Sequence, residues 1–333
     1  MPNREIIRTF EPMRPFEEIL SIDSPAAFGR AALELFRFQA ERCAVYREYL
    51  GEIGVEAAAV RHVDEIPMLP IEFFKWRDVY CADTEPQIVF TSSNTGQSVA
   101  AHHMMASAAL YEAAFTAAFE RFYGTPERWS LYGLLPNYLQ REGSSLVYMV
   151  DRLIARCGSG GFYLDDYERL LADMAADPKP KILLGVSYAL WDLAERHAPK
   201  LRDTVVMETG GMKGRREELP KEEFHRILCA AFGVEAIHSE YGMAELTSQA
   251  YSDGGGRFRT PPWMRVAVRD INDPFCRLQP DRRGGIDIID LANRHSCAFL
   301  QTQDVGRVAA DGSFRIEGRI VRSDIRGCNL LVQ

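Results

Sequence analysis

The stretch Lys181-Ile-Leu-Leu-Gly-Val-Ser-Tyr-Ala-Leu-Trp-Asp-Leu-Ala-Glu-Arg196 decides the fold class. Its first five residues are a short apolar run ending in Gly185, which reads as a buried strand. From Ala189 to Arg196 the apolar residues return at helical spacing. The same order recurs on both sides. Ser130–Leu135 reads as a strand, followed by a Pro/Asn turn and a helix over Ser144–Arg156. Thr204–Glu208 reads as a strand leading into Thr209-Gly-Gly-Met-Lys213, with a helix over Lys221–Phe232. Upstream, Gln87-Ile-Val-Phe-Thr91 runs into a polar loop and then a helix over Ala106–Phe122. Pro25–Leu50 reads as one further helix, with Ser24 as its N-cap. Strands alternating with helices predict an α/β domain with a largely parallel sheet.

Beyond Asp253 the texture changes. Arg265–Arg269, Gly285–Ile289, Gly306–Val308 and Ser313–Ile316 are short strand-like pieces divided by Gly, Pro, Asp and Asn. They predict a mostly antiparallel β subdomain attached to the α/β part.

The chain has 333 residues, 47% hydrophobic and 26% charged, which suits a globular protein of one large domain or two ordinary ones. Its formal net charge is −8 and its basic residues form no run, so a nucleic-acid partner is not expected. Seven cysteines are scattered without Cys-x-x-Cys or zinc spacing, as reduced thiols in a cytoplasmic protein would be. The longest apolar segments fall well short of the roughly 20 residues of a membrane span. P-loop, dinucleotide-binding, serine-hydrolase and zinc-protease signatures are absent from the sequence.

Four segments carry chemistry. Thr91-Ser-Ser-Asn-Thr-Gly-Gln-Ser98 offers hydroxyls and backbone N–H groups, read as lying between a strand and a helix N-terminus. From composition that is first a solvated turn capping the helix, and otherwise a phosphate cradle. In Ser239-Glu-Tyr-Gly-Met-Ala-Glu245, the Tyr241 ring suits a purine face and Glu245 is a hard oxygen ligand for Mg²⁺. The alternative is a strand end with a buried tyrosine and a surface carboxylate. In Thr302-Gln-Asp-Val-Gly-Arg307, Asp304 is able to accept bonds from a ribose diol or simply to cap a turn. Arg319, Arg322 and Arg326 surround Cys328 with positive potential, which favours its thiolate; an inert thiol is the plain alternative.

Taken in order, the four segments resemble the adenylate-forming superfamily of acyl-CoA ligases, peptide-synthetase adenylation domains and luciferases. Thr91-Ser-Ser-Asn-Thr-Gly96 is similar to its triphosphate loop, and Tyr241-Gly-Met-Ala-Glu245 to its adenine and Mg²⁺ segment. Asp304-Val-Gly-Arg307 is similar to its ribose grip, and Gly318-Arg319 with Arg326-Gly327 to its hinge. Within the superfamily, Ile66-Pro-Met-Leu-Pro-Ile-Glu-Phe-Phe-Lys75, Leu135–Met149, Gly210-Gly-Met-Lys-Gly214, Phe224–Gly242 and Pro262–Asp270 resemble the acyl-protein synthetases of bacterial bioluminescence fatty-acid reductase complexes. The departures are Ser93 and Asn94 where the loop usually has Gly-Thr, Gln97 near a usual Lys, and Ala244 before the glutamate.

The resemblance implies a large α/β adenylation core over residues 1–252, a β-rich subdomain over 253–318 and a hinge remnant over 319–333. The usual small C-terminal domain is not expected. It also implies ATP with Mg²⁺ as cofactors, and activation of a carboxylic acid, a fatty acid first, to acyl-AMP. The acyl group would then pass to the Cys328 thiol, with a reductase as onward acceptor. Nucleotide-binding residues would be Thr91, Ser92, Ser93, Asn94, Thr95, Gly96, Gly210, Gly211, Glu240, Tyr241, Gly242, Asp304 and Arg319, with Glu245 on the metal. Lys213 would be the substitute cation, and the acyl tail would lie near Gly185–Leu190. An acyl- or aryl-CoA ligase using free coenzyme A, and a non-catalytic acyl- or nucleotide-binding module, stay open as alternatives.

Overall fold

The computed structural model describes residues 14–92, 99–135, 143–211 and 219–320. In chain order its elements are α1 (Phe16–Leu20), α2 (Pro25–Arg42), α3 (Ala44–Glu52), β1 (Leu69–Pro70), α4 (Phe73–Trp76), β2 (Ile88–Thr91), β3 (His102–Met105) and α5 (Ala108–Tyr123). Then follow β4 (Ser130–Leu134), α6 (Ser145–Cys157), β5 (Gly160–Tyr163), α7 (Tyr167–Ala176), β6 (Lys181–Val186), α8 (Ser187–His197), β7 (Thr204–Thr209) and α9 (Lys221–Phe232). The last described elements are strands: β8 (Ile237–Tyr241), β9 (Ala250–Ser252), β10 (Met264–Arg269), β11 (Gly284–Asp290), β12 (Phe299–Val308) and β13 (Phe314–Arg319).

The first large sheet has the order β5-β4-β6-β7-β8-β9. All of its ladders are parallel except β8 with β9. The apolar runs that predicted strands are the ones buried here: every residue of β4 and β6 is inaccessible to solvent. The connections that return the chain between parallel strands are the amphipathic helices α6 to α9. The second sheet has the order β1-β12-β11-β10, with β13 on β12; β10 to β13 pair antiparallel and β1 joins in parallel. An α/β fold with parallel-rich sheets and a β-rich C-terminal part is thus what the chain forms.

Several elements differ from expectation. The helix predicted over Pro25–Leu50 breaks at Cys43, whose backbone is extended (φ −84°, ψ 104°). The break lets α3 leave the axis of α2, so that Tyr46 stacks on Phe299 and donates to the Pro67 carbonyl at 2.6 Å. Ser24 does cap α2, accepting from Ala27 N. The polar loop after β2 leads into β3, which returns antiparallel to β2 before α5 begins. The helix N-terminus that was to assist a phosphate cradle is therefore separated from the loop by a strand.

A buried polar joint ties the two large sheets together. Asp290, at the end of β11, accepts from the N–H groups of Thr247 and Ser248 at 2.8 Å each and from Ser248 Oγ at 2.7 Å. Trp263 Nε1 donates to the same hydroxyl at 2.9 Å. These bonds fix the segment that follows β8, and with it the edge where the site forms.

Candidate functional site

The parallel ladder places the ends of four strands in one row. Leu134 pairs with Gly185, Gly185 with Glu208, and Glu208 with Ser239; one step on, Val186 pairs with Thr209 and Thr209 with Glu240. In open parallel sheets ligands bind outside the carboxyl ends of the strands. The expected segments around Gly210 and Tyr241 both leave the sheet at this edge.

Glu208 and Glu240 lie in successive rows, on opposite faces of the sheet, Glu208 with Ser239 and Glu240 with Thr209, and their carboxyls are shifted in opposite directions. Burial would raise the Glu208 carboxyl, but His225, Lys221 and Ser239 outweigh it and hold the group down at about 2. Lys221 Nζ lies 2.7 Å from its Oε1, and His225 Nε2 lies 3.5 Å away, buried and without a well-formed hydrogen bond. Ser239 and Ser187 donate at 2.7 and 2.9 Å. Glu240 has no cation beside it among the described residues. Burial pushes its carboxyl up to about 7 against the Thr209 hydroxyl, which donates at 2.5 Å, while charged Glu208 adds to the rise. Thr209 and Ser187 also border Gly210, whose carbonyl accepts from Ser187 Oγ at 3.3 Å.

Beyond β8 the segment Tyr241–Glu245 crosses to the second sheet. Tyr241 donates its hydroxyl to Asp304 Oδ2 at 2.8 Å, and Arg319 Nε donates to Asp304 Oδ1 at 3.0 Å. The second contact follows from register, because Asp304 and Arg319 are directly paired across β12 and β13. The Tyr241 ring meets Phe314 edge-on at 5.3 Å and Phe258 at 5.7 Å. A Cβ at Gly242 would lie 2.5 Å from Glu240 Oε1, so any side chain there would displace the Glu240 carboxyl. The backbone of this segment is held from beneath: His103 Nδ1 lies 2.7 Å from the Ala244 carbonyl, and Asn293 donates to the Glu245 carbonyl at 3.0 Å. Glu245 itself is buried. Burial raises its carboxyl, opposed by its own backbone N–H, then by Arg319 and Lys75, while Asp304 adds to the rise.

Thr91 and Ser92 stand at the base of the expected phosphate loop. Ser92 N donates to the Ala101 carbonyl at 3.0 Å and Ala101 N donates back to Ser92 Oγ at 2.9 Å, closing the loop's neck. Thr91 N donates to the Gly143 carbonyl at 2.7 Å. Ser93, Asn94, Thr95 and Gly96 lie outside the described residues, as do Lys213 and Cys328. Thus Gly210, Glu240, Tyr241, Gly242, Glu245, Asp304 and Arg319 line one edge, where β8 meets β12 and β13. The apolar stretch near Gly185–Leu190 is tightly packed: a methyl on Gly185 would lie 2.8 Å from the Leu190 side chain.

The fold itself, a parallel-rich sheet meeting a second, mostly antiparallel one, recurs in known structures. ATP-bound MatB from Rhodopseudomonas palustris superposes with a TM-score of 0.55 at 19% identity, over 72% of this chain. A 2-hydroxyisobutyryl-CoA ligase in complex with 2-HIB-AMP superposes with a TM-score of 0.67 at 14% identity, over 93% of this chain and 72% of that one. The chain has the fold of the adenylate-forming enzymes. It spans about half of MatB's length, 50%. In sequence, the adenylate-forming fold here is 23% identical over 324 residues to a long-chain-fatty-acid–luciferin-component ligase of Vibrio harveyi, covering 86% of this chain and 82% of that one. No protein-family model matches the chain.

Sequence reasoning missed Ser187, Lys221 and His225, the groups that hold Glu208. The available signal was Glu208 itself, a carboxylate ending the apolar run Thr204-Val-Val-Met-Glu208, which a parallel sheet would bury.

Among the described residues no helix is long and apolar enough to cross a membrane, and no cluster of three or more His, Cys, Asp or Glu forms a ready-made metal cage.

Proposed function

We propose that the chain is an ATP-dependent, AMP-forming acid ligase that activates a carboxylic acid, a fatty acid first, and transfers the acyl group to the Cys328 thiol. The observation that carries this reading is Asp304, buried and held between Tyr241 and Arg319 at the carboxyl edge of the parallel sheet. Each carboxylate oxygen has a second lone pair to offer, and a ribose diol is a matching pair of donors. Glu240–Gly242 and Gly210–Gly211 would then flank the adenine, and Thr91–Gly96 the leaving phosphates.

Glu245 fits Mg²⁺ by its donor chemistry: a buried carboxylate with no ion pair among the described residues, in a site without a full protein cage. Mg²⁺ commonly takes one or two carboxylates and completes its shell with phosphates and water. Bound there, the ion would neutralise charge on the departing pyrophosphate. The substrate carboxylate oxygen forms the new bond to the α-phosphorus as the bond to pyrophosphate breaks. The Cys328 thiolate then attacks the acyl carbonyl and AMP leaves with the electron pair. The Vibrio harveyi relative, a long-chain-fatty-acid–luciferin-component ligase, favours a long-chain fatty acid here; the onward acceptor would be a partner reductase. A second reading, free coenzyme A as acceptor, is favoured by a 2-hydroxyisobutyryl-CoA ligase structure that holds both 2-HIB-AMP and CoA. Lys213 is retained as a cation for the phosphates.

The test is the intact mass of the protein after incubation with Mg-ATP and short, long and aromatic acids. An added acyl mass that hydroxylamine removes, and that Cys328→Ser lacks, is the expected result. Acid-dependent pyrophosphate release without added mass would transfer the reading to coenzyme A. Silence with every acid would remove the ligase reading.

A further inference from the structure

Lys75 lies on the single-turn helix α4, and that turn is braced from two sides. On one side Ile71 N donates to the Gln301 carbonyl at 3.0 Å, and Gln303 Nε2 donates to Glu72 at 2.5 Å. Gln303 is the chain neighbour of Asp304. On the other side Phe74 is buried with its ring edge-on to His103 at 5.8 Å, and His103 bonds the carbonyl of Ala244. Ala244 is the chain neighbour of Glu245. The turn bearing Lys75 is therefore wedged between the two segments that present the carboxylates Asp304 and Glu245.

Ion pairing in this wedge leaves one cation without a partner among the described residues. Arg319 is committed to Asp304 at 3.0 Å. Lys75 is half-buried, and among the described residues no carboxylate lies within 4 Å of its ammonium. Its field still reaches Glu245, where it acts with the Glu245 N–H and Arg319 against the effect of burial. A half-buried ammonium without an ion pair among the described residues is available to an arriving anion. The anion that the neighbouring groups would bring here is a nucleotide phosphate.

We propose that Lys75 binds the transferring α-phosphate, donating hydrogen bonds to its non-bridging oxygens as the acyl–phosphate bond forms and the bond to pyrophosphate breaks. The lysine keeps its proton throughout; it stabilises charge and transfers nothing. The inference rests on the ligase reading above and adds a residue to it. Because charge on those oxygens changes most in the adenylation step, Lys75 should matter there and little in the attack of a thiol on finished acyl-AMP.

The two half-reactions separate these roles. Lys75→Met, which keeps the aliphatic stem, and Lys75→Arg are compared with the wild type in acid-dependent pyrophosphate release and in thiol transfer from synthetic acyl-AMP. Lys75→Met should lower kcat for adenylation about 100-fold or more, the scale of losing one preorganised charge donor. Its transfer rate and thermal unfolding midpoint should stay near the wild type. Lys75→Arg should recover most of the adenylation rate. Adenylation by Lys75→Met within about threefold of wild type would overturn the proposal, as would an equal fall in both half-reactions, which would mark Lys75 as merely structural. Wild-type protein silent with every acid would instead overturn the ligase reading itself, and Lys75's role with it.

Discussion

Asp304 is oriented before any ligand arrives, with one oxygen accepting from Tyr241 and the other from Arg319. The two partners differ in what they contribute. Arg319 is largely exposed, its side chain 70% accessible, so its ion pair adds little to folding and its value lies in fixing the carboxylate plane. Tyr241 is packed against Phe258 and Phe314, and its hydroxyl approaches from inside the joint. Asp304→Asn keeps the shape but puts a donor where the Tyr241 hydroxyl or the Arg319 N–H already points. Loss of a charged acceptor is worth about 1.5–3 kcal/mol, so ATP affinity should fall roughly 10- to 100-fold by calorimetric titration. Tyr241→Phe removes one neutral donor and keeps the ring, so its loss should stay under about tenfold. Equal ATP affinity for Asp304→Asn and wild type would take Asp304 out of the nucleotide site.

At the level of elements, β13 is what carries Arg319 to Asp304, and its closeness to β12 depends on Gly306. A Cβ at Gly306 would lie 2.0 Å from the Arg315 carbonyl oxygen, a distance no side-chain rotation relieves. Gly306→Ala must therefore push β13 away, costing about 2–4 kcal/mol in urea unfolding and loosening the Asp304–Arg319 pair. An unchanged stability would mean that the hairpin tolerates a wider spacing than its register indicates. The same elements explain what could be read from the sequence. β4, β6 and β7 announce themselves because central parallel strands are built around short apolar runs, and α9 matches its expected bounds because one amphipathic face lies against the sheet. His102-His-Met-Met105, Gly160-Gly-Phe-Tyr163 and Ala250-Tyr-Ser252 carry no comparable pattern; the first and last gain strand geometry only from an antiparallel partner. At the site, order along the chain singled out Asp304 and Tyr241, and the fold brings the two together. Their mutual hydrogen bond was not legible, since it depends on how two sheets meet. The bracing of Lys75 through His103 was hidden for the same reason: its partners are spread from residue 72 to residue 303.

For the molecule as a whole, the two carboxylates at the sheet edge set how stability varies with pH. Glu240 titrates in the folded protein at about 7, above its ordinary value of 4.5, because burial disfavours its charge. A raised folded pKa means stability that is fully present below about 4.5 and is lost as pH rises through 7, a change of roughly 3 kcal/mol. Glu208 works in the opposite direction: held down at about 2 by His225, Lys221 and Ser239 despite burial, it contributes stability above 4.5 that disappears as pH falls toward 2. The two effects intersect near pH 4.5 to 5, where neither is lost, so on their account the folded state should be most stable there rather than near neutrality. Glu240→Gln keeps an acceptor for the Thr209 hydroxyl and removes the titration. Urea unfolding of that variant should show a flatter profile between pH 5 and 7.5, with the difference from wild type widening toward pH 7.5 and vanishing near pH 4.5. A difference that stays constant with pH would mean that Glu240 binds its proton equally in the folded and unfolded chain, and that burial does not raise it.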